Sequence, residues 1–338
     1  MSLQYLRQLS LVVADNSGAG LDFGTFWCTF TVKRGDKQTP NSLDARIYNL
    51  KNATAQKIQK KEFTQVSLSA GYNPTRDSSF KPPLIFQGTI KQFRAGRVNQ
   101  LDSYVDITAA DGDEAYNFAP IFTTVQGGSS NQPSQIADQI RGAFAKFSDS
   151  QPITNGYQPD YPPNTLTRGK VLYGMARDEA REFAWQNNSK WSIDNGAFTV
   201  IPYTSYVPGG PVPLISVATG LIGVPEQTQQ GISIRTLLNA NYKIGQLIKL
   251  DSQINQFRLD VGLLSQANNP QIEAQAILNQ QGLYYVMCAN HTGDTREQNW
   301  YTDLTCLAVD ASLASTDATQ ALFVPPGAAS AIIRYGGT

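Results

Sequence analysis

A β unit that this chain carries twice constrains its fold more than any other feature. Leu84–Asp111 reads LIFQGTIKQFRAGRVNQLDSYVDITAAD, and Leu283–Asp310 reads LYYVMCANHTGDTREQNWYTDLTCLAVD. The segments align without a gap. Each opens with an apolar strand, turns through a polar tip containing Gly and Arg, and returns as an alternating strand that ends on Asp. In this alignment Leu101 stands opposite Trp300, Val105 opposite Leu304, Ile107 opposite Cys306, and Gln92 opposite His291. Fainter echoes lie upstream. Ala45-Arg46-Ile47-Tyr48-Asn49-Leu50 corresponds to Ile234-Arg235-Thr236-Leu237-Leu238-Asn239, and Val66-Ser67-Leu68 to Ile248-Lys249-Leu250. Two unrelated hairpins could look alike at this level, but three matches in the same order favour duplication. A duplicated β unit points to an architectural part before it points to an enzyme.

With 338 residues the chain has room for roughly two domains. Lys plus Arg equals Asp plus Glu, so the formal net charge is zero. A dedicated nucleic-acid binder would show a basic excess. Charged residues are few beside the Gln, Asn, Ser, Thr and Gly content, and such a surface repels its own copies weakly, as suits a member of an assembly. The thiols Cys28, Cys288 and Cys306 form no C-x-x-C, and the lone imidazole, His291, completes no zinc set with them. They read as small buried hydrophobes. Cys288 and Cys306 lie on the two arms of one hairpin, where a bridge is the minority reading. The early run LSLVVA is too short for a signal-peptide core and Asp15 follows it, so it reads as the first strand. No apolar run approaches the roughly 20 residues that span a bilayer. Without a route to a secretory lumen, the Asn-x-Ser/Thr sites at Asn52, Asn187 and Asn290 are read as accidental.

Three regions follow from the patterning. Residues 1–118 read as β, with strands at Phe26 to Val32, Ala45 to Leu50, Phe63 to Ala70, Leu84 to Phe93 and Ser103 to Ala109. Lys33-Arg34-Gly35-Asp36 reads as a turn, and Asn52 as the cap of a short helix. Residues 119–207 form an α+β insertion. A helix opens at Pro133 with Ile136, Ile140, Ala143, Phe144 and Phe147 on one face, and a second covers Met175 to Asn188 with Ala176, Ala180, Phe183 and Ala184 inward. Trp191 to Val200 is a hairpin whose Asn195-Gly196 turn supplies the positive φ that a two-residue loop needs. Residues 208–338 return to β, with strands at Leu214 to Val217, Gly231 to Leu238, Gln246 to Asp251, Gly282 to Ala289 and Tyr301 to Val309. An insertion at 252–281 carries a short helix near Ala274, Ile277 and Leu278, and a loosely packed tail covers 311–338.

Candidate chemistry is thin. His291-Thr292-Gly293-Asp294 holds the imidazole, but no Ser or Cys nucleophile with a matching Asp stands at a recognisable spacing, and the alignment puts it at a hairpin tip. Asp111-Gly112-Asp113-Glu114 is a carboxylate cluster. A calcium loop needs more oxygen ligands at alternating positions, so these acids read as the start of a helix, where they complement its dipole. Gly18-Ala19-Gly20 and Gly127-Gly128-Ser129-Ser130 lack the Lys-Ser/Thr of a phosphate loop. Arg177, Asp178, Glu179 and Arg181 read as a solvated helix face with i,i+4 pairing. No catalytic, cofactor-binding or metal-binding residue is assigned, and no cofactor is expected.

One resemblance runs through most of the chain, from about residue 3 to 310. It is carried by Thr219-Gly220-Leu221-Ile222-Gly223-Val224-Pro225-Glu226-Gln227-Thr228 running on to Gly231-Ile232 and Leu237-Leu238-Asn239. It is also carried by Ala45 to Leu50, by Asp111 to Tyr116, and by Gly282-Leu283-Tyr284 leading to His291 to Arg296 and Trp300-Tyr301-Thr302. Each motif alone is a strand with a turn; their order and spacing give the likeness its specificity. Together they resemble the central baseplate hub proteins of contractile-tailed bacteriophages, including Mu-like phages and prophages. That resemblance implies a mainly β chain with two tube-type antiparallel β-barrels, 1–118 and 208–338, flanking the α+β insertion. It implies a non-enzymatic structural homotrimer of the virion baseplate, assembled in the host cytoplasm. Its partners would be the tail tube and central spike proteins, with tape measure and baseplate wedge proteins as further candidates. Three chains with two similar barrels each would join a six-fold tube to a three-fold spike, and DNA would pass through without specific binding and without membrane insertion. The larger family members carry an appended lysozyme or peptidase segment that is not visible here. The alternatives are a tail-associated cell-wall hydrolase using Asp111, Asp113 and Glu114, and a β-rich receptor- or glycan-binding tail module.

Overall fold

In the computed structural model, period-two alternation of buried and more exposed side chains builds most of the longer strands. The structure describes residues 4–16, 18–59, 63–77, 79–128, 132–148, 151–161, 168–203, 205–209, 211–227, 231–251, 258–259 and 282–309. The expected helix at 274–278 and the tail 311–338 lie outside the described residues.

The first region contributes β1 (Arg7–Ala14), β2 (Gly20–Asp22), β3 (Cys28–Gly35), β4 (Ser42–Tyr48), α1 (Asn52–Gln59), β5 (Gln65–Tyr72), β6 (Leu84–Arg97) and β7 (Ser103–Ala110). The middle contributes α2 (Asp113–Phe118), β8 (Pro120–Val125), α3 (Gln132–Lys146), β9 (Thr154–Asn155), β10 (Lys170–Met175), α4 (Ala176–Gln186), β11 (Ser189–Asp194) and β12 (Ala197–Pro202). The last contributes β13 (Leu214–Ile215), β14 (Leu221–Gln227), β15 (Gly231–Leu237), β16 (Leu247–Leu250), β17 (Arg258–Leu259), β18 (Leu283–Asp294) and β19 (Trp300–Ala308).

The chain is mainly β. A 14-stranded sheet unites the first and last regions in the order β17-β14-β15-β19-β18-β3-β4-β7-β6-β5-β1-β2, with β16 beside β18 and β13 beside β16. Within it the same five-strand plan occurs twice. β3 pairs β4, β4 pairs β7, β7 pairs β6 and β6 pairs β5; likewise β14 pairs β15, β15 pairs β19, β19 pairs β18 and β18 pairs β16, all antiparallel. The plans diverge at their ends, since β1 adds antiparallel to β5 whereas β13 adds parallel to β16.

Register shows how the two copies superpose. Arg46 pairs Asp106 as Arg235 pairs Asp303, and Val66 pairs Gly88 as Ile248 pairs Tyr284. The hairpin of each copy breaks register at one extra residue, Lys91 in the first and Met287 in the second. The upstream matches therefore hold as read from the sequence. The ungapped hairpin alignment does not: Gly88, not Ile85, corresponds to Tyr284, and Ile107, not Val105, corresponds to Leu304. The outgoing strand is displaced by three residues and the return strand by two. A shift of two keeps the same face inward, while a shift of three reverses it. An alignment on the apolar starts of the strands does not reveal that the second tip is one residue longer, with six residues between Gly293 and Trp300 against five between Arg97 and Ser103.

Equivalent positions fill equivalent cores. Leu43, Ala45, Val66, Leu68, Ile107 and Ala109 are buried in the first cluster; Ile232, Ile234, Ile248, Leu250, Leu304 and Cys306 are buried in the second. A third cluster lies between α3, α4 and the β11–β12 hairpin, around Trp191, Phe144, Phe183 and Phe198. The inward faces of both helices are those expected, except that Phe147 falls past the end of α3 and is 44% exposed. α2 packs through Ala115 into this middle cluster. Gly112, at φ 63, makes the bend from β7 into α2, where a Cβ would strike Ile193. Lys33 to Asp36 is not the turn expected: β3 runs on to Gly35, and Arg34 and Asp36 are buried.

Candidate interaction face and the seam between the two β units

The two units share a strand-to-strand seam. The far half of β18 pairs antiparallel with β3, from Cys288 opposite Gly35 to Asp294 opposite Thr29. The tip beyond β18 is pinned to the first unit. Trp27 Nε1 donates to Asp294 Oδ1 (3.0 Å), Cys28 N to Thr295 Oγ1 (2.9 Å), and Thr295 N to Cys28 O (3.0 Å). The Arg7 guanidinium donates to Glu297 O (2.6 Å) and Gln298 O (3.0 Å). Trp300 is fully buried and meets Phe30 edge-on at 5.5 Å, so an aromatic from the second unit completes the first unit's core.

Because side chains alternate, this seam carries one face of the sheet unbroken from β6 to β15. Gln92 and Thr108, then Asp44, Thr31 and Thr292, are successive cross-strand neighbours on that face. An open groove lies over them, also lined by Arg46 and Asp106. The face is polar, and it carries two arginine–aspartate pairs at equivalent positions. Arg46 meets Asp106 through two hydrogen bonds (2.6 and 2.9 Å), and Arg235 meets Asp303 in the same bidentate way (2.6 and 3.0 Å). The guanidiniums lie over Tyr104 at 4.2 Å and Tyr301 at 5.7 Å. Both guanidinium pKa values are raised, chiefly by hydrogen bonds to the partner carboxylate. Sequence reading matched Arg46 with Arg235 but missed their partners, because the two-residue displacement hid Asp106 opposite Asp303.

The middle region is locked onto both β units. Asp111, fully buried at the end of β7, accepts from Gln151 Nε2 (2.7 Å), Gly196 N (2.9 Å) and Asn195 N. The Asn195-Gly196 turn, with φ of 50 and 76, thus docks on a carboxylate of the first unit. Arg34, also buried, donates to both Asp194 oxygens (2.7 and 2.6 Å) and to Ile85 O (3.1 Å). Asp36 takes Lys190 from the middle region and the Tyr285 hydroxyl (3.0 Å) from the second unit, so one carboxylate joins all three.

These contacts settle where the candidate residues lie. His291 is not at a tip. It sits in mid-strand between Val32 and Thr302, fully buried, with Nδ1 2.9 Å from Thr302 Oγ1, and burial pulls its pKa down to about 3. Asp113 and Glu114 occupy the first turn of α2, as expected, with Asp113 held by Lys91 Nζ (2.7 Å) and Asn117 Nδ2 (2.9 Å). Asp111 turns instead to the Asn195-Gly196 turn. Gly18 lies in the turn after β1, while Ser129 and Ser130 are outside the described residues. The α4 charges pair at i,i+3 rather than i,i+4, through Arg181 and Asp178 (3.2 Å), and Arg181 also reaches Gln38 (3.0 Å). Cys28, Cys288 and Cys306 are free thiols, and burial raises each pKa, Cys28 to about 12. No group of three or more His, Cys, Asp or Glu among the described residues is placed to hold a metal ion. Sequence reading also missed β14 and the β8–β10 ribbon, whose outer face exposes Phe122, Val171 and Tyr173.

Comparison with known proteins agrees with this architecture. Residues 166–258 match a family model described as baseplate hub gp41. The fold is shared with the 43 kDa tail protein of prophage MuSo2 from Shewanella oneidensis, at a TM-score of 0.54 and 8% identity, covering 89% of this chain and 96% of that one. It is shared too with the tail protein from Neisseria meningitidis MC58, at a TM-score of 0.51 and 10% identity, covering 90% and 96% respectively. No curated protein sequence matches the chain. At such identities the likeness is one of fold. Matched in part by the baseplate hub model and built on the fold of prophage tail proteins, the chain resembles the baseplate hubs of phage tails, as its sequence motifs imply.

Proposed function

We propose that this chain is a non-enzymatic hub of a contractile tail baseplate, acting as a trimer between the tail tube and the central spike. One observation carries the reading: the same five-strand plan occurs twice in one sheet, with Arg46–Asp106 and Arg235–Asp303 at equivalent positions and the two copies side by side across a seam. Three such chains present six similar units, which suits a six-fold tube on one side and a three-fold spike on the other. The units correspond to 1–118, 119–207 and 208–338, and the junctions at Asp111, Arg34 and Asp36 hold the middle one rigidly against both β units. The continuous polar face is the surface offered to passing DNA. Its paired charges give duplex phosphates no net excess of cations to bind.

Cryo-electron microscopy of purified tails carrying a tagged copy of this chain tests the reading. Three copies at the baseplate tip, with six β units around one axis, are expected. Six copies, or units at unequal radii, would overturn the symmetry match. The hydrolase alternative is tested by peptidoglycan zymography: no clearing is expected, and clearing abolished by Asp111→Asn with Asp113→Asn would restore it.

A further inference from the structure

The junction at Asp36 brings an amine, a carboxylate and a phenol into one enclosed contact. Asp36 follows β3 and is 8% exposed, and its N–H donates to Met287 O (3.0 Å), which fixes its backbone to the second unit. Lys190 lies in β11 opposite Ile201 of β12, with its side chain 18% exposed. Its Nζ donates to Asp36 Oδ2 in direct contact. Tyr285, fully buried in β18, donates its hydroxyl to the same oxygen (3.0 Å), and Nζ sits 4.3 Å from the centre of the Tyr285 ring. The surroundings are apolar. Tyr285 packs with Leu247 and Val309, and its hydroxyl borders the same space at Gly245 as the Ile201 and Val207 side chains.

We propose that Lys190 and Asp36 condense to an isopeptide, an amide between Nζ and Cγ that welds β11 of the middle region to the end of β3. A carboxylate and an ammonium held out of water each carry a desolvation cost, and the neutral amide removes both. The ammonium passes one proton to Asp36 Oδ2, and the freed amine attacks Cγ. The Cγ–Oδ2 bond then breaks, and Oδ2 departs as water with a second proton from Nζ; the third proton stays on the amide nitrogen. No oxidant or other reactant enters. The Tyr285 hydroxyl donates to the departing oxygen and so polarises the bond that breaks. Burial, and then the charge of Asp36, holds its pKa above the usual phenol range, so it keeps the proton that it offers. Reacting groups fixed in contact gain effective molarities on the order of 10⁵ M or more, which drives a condensation that free amines and acids in water do not complete.

Other lysine–carboxylate contacts among the described residues lack this setting. Lys91 is 45% exposed where it meets Asp113, and Glu182 is 52% exposed where it meets Lys170. In both, the contacted oxygen is shared with a side-chain amide, of Asn117 and Gln186 respectively, rather than with a phenol. The Lys190–Asp36 bond joins residues 154 positions apart and so closes a long loop, which restricts the unfolded chain. It also makes this junction independent of salt and pH, unlike the Arg34–Asp194 ion pair that joins the same two regions. The bond is a property of the single chain, and the hub reading neither requires nor excludes it.

Intact-mass spectrometry of the purified full-length chain tests the bond, with the folded protein incubated at neutral pH and denatured only for measurement. The chain is expected to be lighter than its sequence by one water, and tandem spectra of a proteolytic digest should place an amide between Asp36 and Lys190. Lys190→Arg keeps the ion pair but supplies no amine nucleophile, and should retain the full sequence mass. Tyr285→Phe keeps the ring and removes the donor, and should form the bond at least about 10-fold more slowly. A folded wild-type chain at full sequence mass overturns the bond, as does a water loss that persists in Lys190→Arg or maps to other residues. Equal rates in wild type and Tyr285→Phe overturn the part given to the phenol. The wild-type measurement needs no substitution, so it decides the bond even where a variant misfolds.

Discussion

Two buried ionisable residues pull the stability of this chain in opposite directions with pH. Burial, and then the charge of Asp194, pushes the Asp111 carboxyl up to about 7, against the hydrogen bonds from Gln151, Gly196 and Asn195. In the unfolded chain such a group titrates near about 4. Between those values the folded protein keeps a proton that the unfolded chain has lost. The contribution of Asp111 is therefore largest at low pH and falls as pH rises towards 7. His291 does the reverse. Burial, and then Arg34, holds it down to about 3, so between about pH 3 and 6.5 the unfolded chain takes up the proton instead. Its contribution is complete above about pH 6.5 and is lost on acidification. Thermal melts from pH 4 to 7.5 should separate the two. Relative to wild type, Asp111→Asn should gain stability as pH rises, and His291→Gln should lose it. Parallel curves for both variants would refute the assignment. Asp111→Ala, which leaves the turn amides of Asn195 and Gly196 without their acceptor, should cost about 1–3 kcal/mol in urea unfolding.

The β11–β12 hairpin shows how a single turn serves as a docking element. Gly196 holds a φ of 76, and a Cβ there would meet Pro152 O at 2.9 Å. Gly196→Ala is expected to destabilise the protein by more than about 1 kcal/mol, combining left-handed strain with loss of fit. The lowered denaturant midpoint should come with an unchanged m value. By contrast Asp303→Asn, at a pair with both side chains over a third exposed, should cost no more than about 1 kcal/mol. The hairpin was legible in the sequence because Asn-Gly between alternating strands is a local signal. So were both helices, whose inward residues recur at helical spacing, and the equivalence of Arg46 and Arg235 in the two copies. The role of Asp111 was not legible: nothing local distinguishes a carboxylate that caps a helix from one that reaches a turn 84 residues away. The position of His291 was lost for a related reason. Hairpin tips differ in length between the copies, and only the shared bulges at Lys91 and Met287 reveal the true correspondence. β14 escaped because its register breaks between Ile222 and Glu226, where Gly223 and Pro225 read as loop residues.

At the scale of the whole molecule, zero net charge and a polar face with matched ion pairs are parts of one arrangement. Under the function proposed above, DNA slides past this face, which requires it to be wettable without holding phosphates. Cations at Arg46 and Arg235 are neutralised in place by Asp106 and Asp303, and their remaining donors are oriented by the ring faces of Tyr104 and Tyr301. Neutralising the acids would release the cations. Asp44→Asn, Asp106→Asn and Asp303→Asn together should leave a fold that still assembles, because all three side chains stand on the solvent side of the sheet. They would also add three positive charges per chain, and about nine in a trimer, to one surface. Wild-type protein should show little retention of duplex DNA and little dependence on salt. The triple variant should bind at low ionic strength and lose on the order of 10³-fold or more in affinity between about 50 and 200 mM salt, as expected for about six or more phosphate contacts. Tight, steeply salt-dependent binding by the wild-type chain would mean that these arginines are phosphate ligands and that the face grips nucleic acid; weak binding by both proteins would mean that the face is turned away from it.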